Sequence, residues 1–128
     1  MNPFSILQSI LTIVLALMFV GMGLLHFLPG PGRTMAAMIP DRLRGTTVTP
    51  RMLVLFTGVC EIAGGLGLLI PATRIAAVCC LIVFLIVVFP ANAAAARQPA
   101  RFGRLAVPLV PRLIGQLVLI AALVAVAI

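Results

Sequence analysis

Glu61 is one of only two acidic residues in a chain of 128 residues, and it stands in the middle of a long apolar run, 52–70. A carboxylate at that depth of a membrane-spanning helix costs about 3 kcal/mol or more on insertion scales. Such a group needs a partner, a cavity or a ligand inside a bundle. His26, the single histidine, closes the first apolar run. Asn92 lies at the end of the third run, and Arg112 and Gln116 stand four residues apart at the start of the last. These five residues fall in the same half of an antiparallel bundle, so they form a candidate intramembrane polar cluster. The chemistry open to it is proton handling or ligand binding by His26 and Glu61, the two candidate catalytic residues. Bracing of Glu61 by His26 or Arg112 is the structural alternative. The residue types leave the protonation of Glu61 open. One histidine and two acids do not supply an ordinary metal first shell, and no metal is expected.

The three cysteines, Cys60, Cys79 and Cys80, form no CxxC pair. In a hairpin of the second and third runs, Cys60 misses Cys80 by about one helical turn, roughly 5 Å, which disfavours a disulfide. They read as small buried packing residues.

The elements that must position these groups follow from composition. The chain is 63% hydrophobic and 9% charged, with mean hydropathy +1.32. Soluble domains are nearer half apolar and a quarter charged. An all-α integral membrane protein is expected: one domain, 1–128, forming an antiparallel four-transmembrane-helix bundle with short loops. Runs of about 20 apolar residues span the hydrocarbon, and they predict helices at about 4–28, 51–70, 73–92 and 112–128. Pro29-Gly30-Pro31-Gly32 is expected to end the first helix. Pro71-Ala72-Thr73 makes a tight turn, and Pro90 is expected to kink or end the third helix. A short apolar piece, 34–39, is too short to span and suits an interfacial or re-entrant position. The start of the chain lacks the positive region of a signal peptide, so the first helix is expected to be retained.

The net charge of +7 is carried by arginine alone. Nucleic acid is a poor partner for it, because the arginines lie in short loops between apolar runs. Arg33, Arg42, Arg44 and Arg51 crowd the first loop, and Arg97, Arg101, Arg104 and Arg112 the last, against Arg74 alone in the central turn. The positive-inside rule puts loops 29–50 and 93–111 in the cytoplasm and both termini outside. Arg97, Arg101 and Arg104 recur at helical spacing, a basic face suited to anionic lipid headgroups.

Small residues stripe the helices: Gly58, Ala63, Gly64 and Gly67, then Ala72 and Ala76 with Cys80, then Ala121 and Ala125. Small residues let helices approach closely in lipid, where no hydrophobic force draws them together. With no room for a soluble catalytic domain, these stripes point to an accessory subunit of a larger envelope complex, in transport or redox, docking through helix faces. Its partners would be membrane lipids and other integral subunits, in a hetero-complex or a homo-oligomer. No cofactor is expected from the residues themselves.

Several segments resemble the DoxX-like family of small bacterial membrane proteins. They are Gly23-Leu24-Leu25-His26-Phe27, Met38-Ile39-Pro40, the glycine-rich Glu segment 57–71 and Phe89-Pro90-Ala91-Asn92, together covering about 21–92. The resemblance implies a four-helix bundle in a bacterial inner membrane, with His26, Glu61 and Asn92 as the family-pattern polar residues. It also implies an alternative function, a quinone-linked oxidoreductase subunit in which His26 and Glu61 handle protons as a bound quinone changes redox state.

Overall fold

The computed structural model describes residues 2–40, 47–98 and 108–128. Among them the chain is all-α, with α1 (Pro3–Leu25), α2 (Pro29–Met38), α3 (Pro50–Leu69), α4 (Arg74–Ala96) and α5 (Leu109–Ala127). α1, α3, α4 and α5 are long and apolar enough to cross a membrane, and the chain is a multi-pass helical bundle.

Local chemistry sets the ends of these helices. α1, α2 and α3 each open on a proline, whose fixed φ suits the first helical position and whose missing N–H is not needed there. The Asn2 side chain accepts from the Ser5 N–H at 2.7 Å, and the Thr49 hydroxyl accepts from the Met52 N–H at 3.2 Å, so two of these starts are capped. At the far end of α3, the Thr73 hydroxyl donates to the Gly67 carbonyl at 2.9 Å. Arg74 Nε donates to the Leu68 carbonyl, also at 2.9 Å. A cation on those last carbonyls also suits the negative end of the helix dipole.

One expectation is met with an addition, and two need correction. α1 does end before Pro29-Gly30-Pro31-Gly32, and this segment in turn forms the first turn of α2, because helix starts tolerate proline and the new helix packs on α3 and α4. Pro90 does not end α4, which runs on to Ala96; the proline costs one backbone bond, to the carbonyl four residues back. Cys79 and Cys80 are exposed and Cys60 is half-buried, so they are not buried packing residues. The other boundaries shift by a few residues. α1 stops at Leu25, and α5 starts at Leu109 behind Pro108.

The four long helices form a ring in which α1 packs on α3, α3 on α4, α4 on α5, and α5 closes back on α1. The apolar core gathers Leu15, Ala16 and Phe19 with Leu68, Leu81 and Leu123. It fills the half of the bundle beside the α3–α4 turn and the C-terminus. α2, strung between the end of α1 and the start of α3, lies at the opposite end and buries Met38.

Glycines on α3 set two different contacts. A Cβ on Gly58 would stand 2.7 Å from His26 Cβ, and one on Gly65 would meet the Ala16 carbonyl at 3.1 Å, so both face α1 at backbone range. Gly64 and Gly67 face α4, against Leu81 and Ala77. Gly58, Gly64 and Gly67 are therefore consumed inside the bundle and are not available to dock a partner. Ala63, Ala72, Ala76, Ala121 and Ala125 are exposed. Gln8 on α1 donates to the carbonyls of Ala125 at 3.1 Å and Val126 at 3.3 Å, tying the first helix to the last turn of α5. Large apolar side chains such as Leu7, Leu17, Phe56, Ile75 and Val118 cover the outside, which is the surface a hydrocarbon solvent calls for.

Candidate functional site

His26 caps the C-terminus of α1, in helical geometry, and α2 begins three residues later. This elbow is where the chain leaves the spanning helix. The ring can reach α3 there because Gly58 offers no side chain beneath it. Glu61 lies on the same face of α3, three residues beyond Gly58, and its side chain meets the ring from the deeper side.

His26 Nε2 and Glu61 Oε2 are 3.1 Å apart, with side chains 12% and 8% exposed. Both groups are therefore withdrawn from solvent and lipid headgroups alike, and each depends on the other for compensation. Oε2 is enclosed and receives no aligned hydrogen bond among the described residues. The contact is thus an ion-pair distance with poor hydrogen-bond direction.

The other ring nitrogen fixes the tautomer. Nδ1 is 2.9 Å from the Val54 carbonyl oxygen, which can only accept, so Nδ1 carries a hydrogen and donates it. Thr57 completes the arrangement: its hydroxyl donates to the same carbonyl at 2.9 Å and leaves a lone pair toward Nδ1 at 3.2 Å. Val54, Thr57 and Glu61 follow one another along one face of α3, at helical spacings of three and four. α3 thus offers the histidine an acceptor at each nitrogen.

Of the five residues expected to cluster, the structure brings two together, His26 and Glu61. Asn92 on α4, and Arg112 and Gln116 on α5, are half-buried. Glu61 has His26, not Arg112, as its ion-pair partner. α5 packs on α4 and α1. Sequence reasoning missed Val54 and Thr57. A backbone carbonyl carries no sequence signal, but Thr57, one turn before Glu61 in an apolar helix, was a readable one. Gln8, a lone amide in the first apolar run, was another.

Among the described residues no group of three or more His, Cys, Asp or Glu side chains could hold a metal ion. Arg97 is exposed at the end of α4; Arg101 and Arg104, the rest of the expected basic face, lie outside the described residues.

A family model described as "Domain of unknown function (DUF8561)" matches residues 15–127. The match runs from the middle of α1 to the end of α5 and includes the His26–Glu61 pair. No curated protein and no solved structure matches the chain.

Proposed function

The chain belongs to this family of unknown function, and we propose that it is a small accessory subunit of a larger bacterial envelope complex, with no catalytic centre of its own. One observation carries the reading. Ala72, Ala76 and Cys80, at four-residue spacing along the α3–α4 turn and α4, are all exposed on the isolated chain. They differ from Gly64 and Gly67, whose space is already taken by α4. A face of small side chains lets another transmembrane helix come close, and Ala121 and Ala125 give α5 a second one. The candidate site supports the same reading, since His26 and Glu61 answer each other's charge within the bundle.

The arginines suggest the orientation. Arg33, Arg51, Arg97 and Arg112 lie at the end that holds His26, and Arg74 at the other. By the positive-inside rule the His26 end faces the cytoplasm and both chain ends lie outside. The partners are lipids and further integral subunits of the inner membrane.

The test is gentle detergent extraction of the tagged protein from its native membrane, with mass spectrometry of what accompanies it. Integral membrane subunits should co-purify in fixed ratio, and Ala76→Leu should release them while the protein itself stays folded. Gly67→Leu is not a useful test, because its side chain would strike Ala77 of its own chain. Unchanged co-purification in Ala76→Leu refutes docking through α4.

A second reading rests on the DoxX-like resemblance and on the pairing of an ionisable ring with a carboxyl group at 3.1 Å. In it the chain is a quinone-linked oxidoreductase subunit, and the pair passes protons as a bound quinone is reduced or oxidised. It requires quinone in the extracted protein and loss of turnover in Glu61→Gln at normal expression. The absence of both rejects it.

A further inference from the structure

We infer that His26 and Glu61 form a one-proton latch that fastens the α1–α2 elbow to α3. The inference is independent of the docking reading and holds or fails on its own.

The proton count comes from the geometry. Nδ1 carries a hydrogen because its 2.9 Å neighbour is a carbonyl. What remains is the 3.1 Å gap between Nε2 and Oε2, in enclosed surroundings. With no proton there, two lone pairs would face each other and a carboxylate would stand buried without compensation. With two protons, an N–H would face an O–H and leave an imidazolium uncompensated. With one proton, the pair is either a carboxylic acid beside a neutral imidazole or an imidazolium beside a carboxylate. Both forms have zero net charge, so the enclosed pair holds one proton whichever residue carries it.

No other described group shares that balance. α1 holds no further ionisable side chain. On α2, Arg33 is exposed; on α3, Arg51 is exposed and Cys60 is half-buried. On α4, Cys79, Cys80 and Arg97 are exposed, Arg74 lies at the far end on the Leu68 carbonyl, and Asn92 is neutral. Arg112 belongs to α5, which packs on α4 and α1. Neither His26 nor Glu61 has a second ion-pair partner among the described residues.

The latch function comes from what His26 joins. Its side chain binds Val54 and Glu61 of α3, while its backbone carbonyl lies 2.9 Å from where a Cβ on Gly32 of α2 would be. The Gly32 N–H donates to Leu28 at 2.8 Å, within the same elbow. Loss of the pair therefore frees the start of α2 as well as the end of α1.

The test uses the full chain in lipid bilayers. Because His26 is the only histidine, labelling with 15N-histidine reports this ring alone. The expected spectrum has Nδ1 protonated and Nε2 sharing a proton, and Glu61→Gln moves Nε2 alone to the unprotonated range. An unprotonated Nδ1, or an Nε2 that ignores Glu61→Gln, overturns the proton count. Hydrogen exchange of the α2 amides tests the latch. Glu61→Gln, whose amide can donate as the acid does, should leave exchange near wild type, whereas Glu61→Ala should speed it by roughly tenfold or more. If Glu61→Ala fails to insert, His26→Asn, too short to reach Glu61, reads the same quantity. Unchanged α2 exchange in the variant that inserts overturns the latch.

Discussion

Gly58→Ala is the smallest change that should disturb the candidate site without touching either of its ionisable groups. The added carbon would lie 2.7 Å from His26 Cβ, 3.0 Å from Phe27 Cε2 and 3.1 Å from the Gly23 carbonyl oxygen. Two of these neighbours are fixed close to the backbone of α1, so no flexible side-chain tip can swing away. Carbon atoms pack comfortably at about 3.5 Å or more, so α1 must retreat by roughly 0.8 Å. Carried to the ring, that displacement stretches the 3.1 Å contact with Glu61 to about 3.9 Å, the outer limit of an ion pair. Overpacking costs about 1–3 kcal/mol and the weakened buried contact about 1 more. The helix preference of alanine returns about 1 kcal/mol. The expected net destabilisation is about 1–3 kcal/mol. Gly21→Ala, in α1 itself, is the control: a Cβ there meets nothing within 4 Å, and the change should be neutral or stabilising by up to about 1 kcal/mol. Reversible unfolding in mixed micelles, followed by far-ultraviolet circular dichroism, measures both. Equal stabilities for the two variants would refute the close approach of α1 and α3 at His26.

Gly65→Ala should destabilise more than Gly64→Ala in the same unfolding assay, by about 1 kcal/mol. The first would press on backbone atoms of Ala16 and Val20, the second on the mobile end of Leu81; the reverse order would contradict the assignment of faces. Gln8→Leu should cost about 0.6–1.5 kcal/mol and raise hydrogen exchange in the last turn of α5, with no change in that turn counting against the tie. In detergent, a small maleimide should modify Cys79 and Cys80 well before Cys60, as peptide mass mapping would show; faster modification of Cys60 would reverse the burial order.

The spanning helices were legible because length and hydropathy decide them. Glu61 and His26 were legible as partners because a buried carboxylate in this chain has few groups to turn to. α2 was not legible, since a Pro-Gly-Pro-Gly sequence breaks a helix in isolation; contacts with α3 and α4 override that preference. Nor was the division of the α3 glycines. Gly64 and Gly65 are neighbours in sequence and face different helices, and only the order of the ring tells which.

The Gln8 tie bears on how the protein is made. Its acceptor Ala125 lies 117 residues further along the chain, so the contact forms only after α5 has left the ribosome. Until then α1 must wait in the bilayer, paired with α3 on one flank and with lipid on the other. Closure of the ring therefore waits for the last turn of α5. A nascent chain arrested before α5 emerges would present a three-helix crescent with an open seam, the state most exposed to quality-control proteases in the membrane.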